Sequence, residues 1–155
     1  LVRPIRPEDE ALYDAFFAHV TADDQRLRFF TAVPDLSHRF LARLTQIDYA
    51  REMAFVALVK DTGELLGVVR LVLDPDATNG EYAILVRSDL KGRGLGWRLM
   101  QHLIAYAEAQ GVKEVHGLVL AGNTTMLDMC RSLGFLIERE PDDDKVMRVR
   151  LRLGT

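Results

Sequence analysis

One cysteine in 155 residues, Cys130, excludes an internal disulfide, and so thiol-poor a chain suits a reducing compartment. Long apolar runs are missing as well. The longest, such as residues 54–59, fall far short of the roughly 20 residues that span a bilayer, and no signal-peptide pattern is visible. There is no basic excess, since the net charge is -3, so nothing points to a nucleic-acid-binding face. The four histidines, His19, His38, His102 and His116, lack metal-ligand spacing. Internal repeats and low-complexity segments are absent. These features predict a cytoplasmic protein with no metal and with neither nucleic acid nor membrane as partner.

An apolar content of 48% and a charged content of 28% are those of an ordinary globular domain, and the length allows a single core. The chain starts at Leu1 instead of methionine, with residues 1–6 already strand-like, so residues 1–155 are expected to be one domain excised from a longer polypeptide. Pro7 and the acids after it suit a helix start, and Leu12, Ala15, Phe16 and Val20 form a helical stripe. Thr21 with Asp24 predicts the cap of a second short helix, broken by Pro34, and Ser37 caps a third. Residues 54–59, 65–73 and 81–86 read as strands, with Gly67 marking a bulge or a close backbone approach. Residues 95–107 are the longest amphipathic helix, stopped by Gly111. A strand at 115–120, a helix at 124–133 and a strand at 135–138 follow. Last, Met147, Val149, Leu151 and Leu153 alternate with arginines as a half-exposed strand. This order predicts an α+β domain whose mixed sheet has helices on both faces.

The most informative stretch is Lys91-Gly92-Arg93-Gly94-Leu95-Gly96-Trp97, between a strand end and the long helix. Glycines admit a ligand close to the backbone, and a helix N-terminus offers free N–H groups with partial positive charge; together they make a phosphate cradle. Lys91 and Arg93 can add charge. A glycine-rich helix start that serves packing alone is the alternative. Two better-known loops do not fit: a Walker loop requires Lys-Ser/Thr after its last glycine, and a dinucleotide fingerprint requires glycine where Trp97 stands.

Lys91-x-x-Gly94-x-Gly96 ahead of a long helix resembles motif A of the GNAT superfamily of N-acyltransferases. Asn123-Thr124-Thr125-Met126 leading to Leu133-Gly134-Phe135 resembles its motif B. The resemblance implies the GNAT fold, a mixed, mostly antiparallel sheet with a V-shaped split between two parallel strands, here 81–86 and 115–120, where acetyl-CoA inserts. It implies that the backbone of Ile84, Leu85 and Val86 lines the pantetheine arm, with one N–H polarising the thioester carbonyl. Gly92, Arg93, Gly94, Leu95, Gly96 and Trp97, with Lys91, would hold the pyrophosphate, and Asn123 would bond the cosubstrate while capping its helix. Lys91 replaces the usual Gln or Arg. Cys130 stands where many members have a tyrosine that protonates the departing thiolate; the cysteine reads as core packing, with water as the proton source.

A lysine-like amine, with a pKa of roughly 10.4, must lose a proton before it attacks a thioester. A carboxylate can take that proton, directly or through water, if burial raises its pKa; Glu81 matches a family pattern of a glutamate base on the strand entering the glycine loop, with an exposed strand-start acid as the alternative. Arg26-Leu27-Arg28-Phe29-Phe30, Leu36-Ser37 and Leu44-Thr45-Gln46-Ile47-Asp48-Tyr49 resemble bacterial protein lysine acetyltransferases of the Pat type. In these a GNAT domain accompanies an NDP-forming acyl-CoA synthetase-like domain. That resemblance implies a protein substrate, typically the active-site lysine of an acyl-CoA synthetase, with Asp48, Tyr49 and Glu52 on the substrate side. Acetylation of a small amine, or a non-catalytic acyl-CoA sensor, are the alternatives.

Overall fold

The computed structural model describes residues 1–29, 38–90 and 92–153. The strands are β1 (Val2–Pro4), β2 (Glu52–Leu58), β3 (Leu65–Leu73), β4 (Asn79–Val86), β5 (Glu114–Leu120), β6 (Leu136–Glu140) and β7 (Asp143–Arg152). After β1 come a 3₁₀ turn (Pro7–Leu12) and three short helices, α1 (Tyr13–Ala18), α2 (Ala22–Phe29) and α3 (His38–Thr45). The longer α4 (Leu95–Ala109) and α5 (Thr124–Leu133) flank β5 in the chain. The expected Pro34 break and Ser37 cap lie outside the described residues.

The strands form one sheet in the order β1-β2-β3-β4-β5-β7-β6, antiparallel throughout except between β4 and β5. Alternation along the strands feeds two cores. On one face Tyr13, Phe16 and Phe17 of α1 and Leu41 of α3 pack on Val56, Val68 and Leu85. On the other, Leu99, Met100 and Leu103 of α4 and Leu127 of α5 pack on Phe55, Val69, Tyr82 and Ile84. Gly67 is the predicted close approach: a Cβ there would lie 3.1 Å from Leu99 Cδ1. The bulge is there as well: Ala57 pairs with Gly67 and Leu58 with Leu65, which leaves Leu66 as the extra residue on β3.

Local signals set the element ends. Asn123 accepts the Met126 N–H at 3.2 Å and starts α5. Gly134 closes it at φ 96°, and the Phe135 N–H bonds Cys130 O at 2.9 Å. That bond draws Phe135 inward, so β6 begins one residue later than the sequence predicts. Asn79-Gly80, a turn-forming pair by composition, instead opens β4, because the Asp74 carboxylate takes the Thr78 and Asn79 N–H groups and closes the turn earlier.

β4 and β5 are paired only at Asn79↔Glu114, Gly80↔Val115 and Glu81↔His116. Beyond this rung the two strands part, each held by its outer neighbour: Gly67 pairs with Val86, and Leu120 with Val146. The result is the V-shaped split.

Candidate active site

The split opens into a cavity of about 550 Å³ bounded by β4, β5, the starts of α4 and α5, and α2. Ile84, Leu85, Val86, Gly92, Gly94, Leu95, Gly96, Trp97 and Asn123, predicted from sequence to meet the cosubstrate, all line it. Arg93 is exposed and is not among the lining residues, and Lys91 lies outside the described residues. Gly94 caps α4 in the left-handed region at φ 83°, where any other residue is strained. A Cβ on Gly92 or Gly94 would meet no heavy atom within 4 Å. Bare backbone therefore faces open space where α4 presents its unpaired first-turn N–H groups. Gly96 differs: a Cβ there would touch Met129 Sδ at 3.8 Å and Ile84 at 3.9 Å, ordinary packing distances.

Strand register assigns the backbone donors. The Arg87 N–H bonds Leu66 O at 3.0 Å, and the β3–β4 register runs unbroken from there. In an antiparallel ladder the bonded pairs alternate, so Leu85 and Ala83 also turn their polar groups to β3. Tyr82, Ile84 and Val86 turn theirs into the split. The N–H groups of Ile84 and Val86 are thus aimed where a carbonyl oxygen can accept them, whereas that of Leu85 is not.

Glu81 lines the cavity at the last paired rung, yet it is exposed. The reason lies in the row Glu52↔Val72↔Glu81: Val72 is 45% exposed, so none of the described helices covers this end of the face. On the same face α2 brings Asp24 and Arg28, one helical turn apart, to the cavity wall. Thr21 Oγ1 accepts the Asp24 N–H at 3.1 Å, the predicted cap. The return bond runs through the loop after β4: the Thr21 N–H donates to Ser88 Oγ at 2.9 Å, and the Ser88 hydroxyl donates to Asp24. Burial and the charge of Arg70 lower the Arg28 guanidinium to about 10, against the opposing pull of Tyr13 and Glu81.

Asp48, Tyr49 and Glu52, expected on the substrate side, do not line the cavity. Sheet order is the cause, since β3 separates β2 from β4. Glu52 shares the face of Glu81 at two strand spacings, on the order of 10 Å, and its carboxylate takes Arg70 at 2.6 Å. The Tyr49 hydroxyl donates to Ile5 O, and Asp48 Oδ1 accepts the Ala50 N–H at 3.0 Å.

Tyr82 is the main surprise. Its hydroxyl lies 3.4 Å from Cys130 Sγ, and its ring fills the apex of the V against Phe135, with centroids 5.8 Å apart. Burial pushes the phenol far above its ordinary range. The thiol is raised by burial too, against the opposing bond from Tyr82. Both groups are therefore neutral, and Cys130, wholly buried, packs as predicted. Met126, Met129, Leu118 and Arg28 are further lining residues that sequence reasoning did not single out. Leu118 carried a faint signal: it is an apolar residue, 45% exposed, at an outward position of β5. Among the described residues no three His, Cys, Asp or Glu side chains are grouped to hold a metal, and no helix is long and apolar enough to cross a membrane.

A seven-stranded mixed sheet parted between two parallel strands, with a bare glycine-rich turn opening α4, is the architecture of the GNAT acyltransferases. Residues 11–135 match the Acetyltransferase (GNAT) family, and the chain belongs to it. It is similar to Acetyltransferase PA5475 of Pseudomonas aeruginosa, 36% identical over 155 residues, spanning 99% of this chain and 83% of that protein. It is also similar to Acetyltransferase Pat of Mycolicibacterium smegmatis, 32% identical over 114 residues, which are 73% of this chain but 34% of that protein. Among solved structures the GNAT domain of S. lividans PAT superposes with a TM-score of 0.89 at 28% identity, covering 98% of this chain and 89% of that one. The chain is thus an acetyltransferase of the GNAT family, and that family implies acetyl-CoA as cosubstrate.

Proposed function

We propose that this acetyltransferase acts on the side-chain amine of a protein lysine, by direct attack on acetyl-CoA, with Glu81 as general base. The observation that carries this reading is the position of Glu81, which lines the same cavity as the bare backbone of Gly92 and Gly94. At neutral pH only on the order of one lysine amine in a thousand is unprotonated, so a proton acceptor at the mouth of the split contributes directly to rate. Glu81, being exposed, takes the proton through water. The nitrogen attacks the thioester carbon, the N–H of Ile84 or Val86 holds the developing oxyanion, the carbon–sulfur bond breaks, and water protonates the thiolate.

A protein acceptor is supported by the similarity to Pat and by the open row Glu52–Val72–Glu81, which leaves room for a lysine-bearing segment beside the base. The acyl-CoA synthetases are the first candidates, with their active-site lysine as target. Purified protein with labelled acetyl-CoA, presented with an acyl-CoA synthetase, the same synthetase with its active-site lysine changed to arginine, and a set of small amines, tests this. Label on the first and not the second is the expected result. Label on small amines alone would refute the protein acceptor, and no turnover at all would refute the enzyme.

A further inference from the structure

The split between β4 and β5 ends on one side chain. The strands are last paired at Glu81↔His116, and Tyr82 and Gly117 stand next along each. Gly117 has no Cβ, and the Tyr82 ring takes that space: a Cβ there would lie 2.5 Å from Cε1. The ring thus reaches from β4 to β5 immediately past the rung where backbone pairing stops. It is held behind as well, by Phe135 at a centroid separation of 5.8 Å and by Cys130 Sγ, 3.4 Å from the hydroxyl. Tyr82 lines the cavity, whereas Gly117, Cys130 and Phe135 do not. The ring is therefore the wall between the cavity and the core behind it, and close packing leaves it little room to swing.

The two ends of β4 orient the cosubstrate. The bare glycine turn, suited to the pyrophosphate, follows the C-terminal end of the strand, and Glu81 lies near its start. The thioester ends the arm that leaves the pyrophosphate, so it comes to rest toward the apex. A thioester carbon carries its sulfur, oxygen and acyl carbon in one plane. Sulfur arrives from the glycine turn, the N–H of Ile84 or Val86 draws the oxygen, and the amine attacks across the plane. The acyl carbon is left pointing onward, at Tyr82.

We propose that Tyr82 is an acyl-selection residue, whose ring closes the apex of the split and excludes acyl chains as long as butyryl. This rests on the acetyl-transfer reading above and specifies the acyl donor of that same site. A longer chain has to push aside a ring already packed against Gly117, Phe135 and Cys130. With the ring gone, the same chain would enter an apolar space in the core.

Calorimetry with acetyl-CoA, propionyl-CoA and butyryl-CoA tests this without any acceptor. The parent protein is expected to bind butyryl-CoA about tenfold to a hundredfold more weakly than acetyl-CoA, the range that overpacking a filled site produces. Propionyl-CoA should fall between them. Tyr82→Leu should bring the ratio to one or invert it, because each added methylene then gains from burial. Tyr82→Phe keeps the ring and should keep the parent's ratio, which separates the ring from its hydroxyl. Melting temperatures check that each variant folds; should Tyr82→Leu not fold, Tyr82→Met, unbranched and adaptable, takes its place. Equal affinities in the parent, or a parent-like ratio once the ring is removed, overturn the proposal and leave the cosubstrate site standing. Failure of acetyl-CoA itself to bind the parent refutes the cosubstrate reading, and the proposal with it.

Discussion

A single methyl group at Gly117 should report whether Tyr82 holds the apex of the split. A Cβ on this residue would lie 2.5, 2.9 and 3.1 Å from Cε1, Cδ1 and Cζ of the Tyr82 ring. Carbon atoms settle at about 3.5–4.0 Å, so the ring would have to retreat by about 1 Å. It has little room: Tyr82 is 6% exposed, its hydroxyl meets Cys130 at 3.4 Å, and its ring meets Phe135. Overpacking of this kind costs about 1–3 kcal/mol. Against it stands a gain of about 0.4–1 kcal/mol from a less flexible unfolded chain. The larger effect wins, and Gly117→Ala is expected to destabilise by about 1–2 kcal/mol, lowering the melting temperature by about 2–8 °C in a domain of this size. Tyr82→Leu removes the clashing atoms, so in that background Gly117→Ala should be neutral or stabilising, with a coupling of about 1–3 kcal/mol. Denaturant titrations of the four proteins give that coupling. Additive effects, or a Gly117→Ala protein as stable as the parent, would refute the packing described for the apex.

Glu81→Gln should leave acetyl-CoA affinity nearly unchanged while kcat falls on the order of a hundredfold. Raising the pH should partly restore the rate as free amine accumulates, and an unchanged kcat would exclude Glu81 as the base. Gly94→Leu should weaken acetyl-CoA binding more than tenfold by calorimetry. No protein atom lies within 4 Å of a Cβ there, so the cost to folding is limited to left-handed strain of about 1–2 kcal/mol; near-parental affinity would remove the glycine turn from the cosubstrate site. Cys130→Ala strands the Tyr82 hydroxyl and should cost about 1–3 kcal/mol of stability while keeping kcat within tenfold. A larger loss of kcat in folded protein would give the thiol a role in proton transfer.

Signals that act within a few residues were legible in the chain alone. The strand at Leu65–Leu73 and the helices Leu95–Ala109 and Thr124–Leu133 follow from apolar period, from the Asn123 cap and from the stops at Gly111 and Gly134. A strand leading to Gly92-x-Gly94-x-Gly96 and then to a long helix requires the backbone to open a helix with little side chain in the way, whatever the rest of the chain does. The family resemblance rests on that stretch and on the segment from Asn123 to Phe135.

What the sequence could not show is which strand lies beside which. Sheet order keeps Glu52 two strands from Glu81 and engages it with Arg70, and it leaves Val72 uncovered, so that Glu81 is exposed. Docking of α2 on β4 brings Arg28 from a motif of undefined role into the cavity wall. The meeting of Tyr82 with Cys130, 48 residues on, needs the V to open one rung past Glu81 and Gly117 to leave the ring its space. No period or cap in the sequence encodes such contacts, because they join side chains whose separation is set by strand pairing and not by the chain between them.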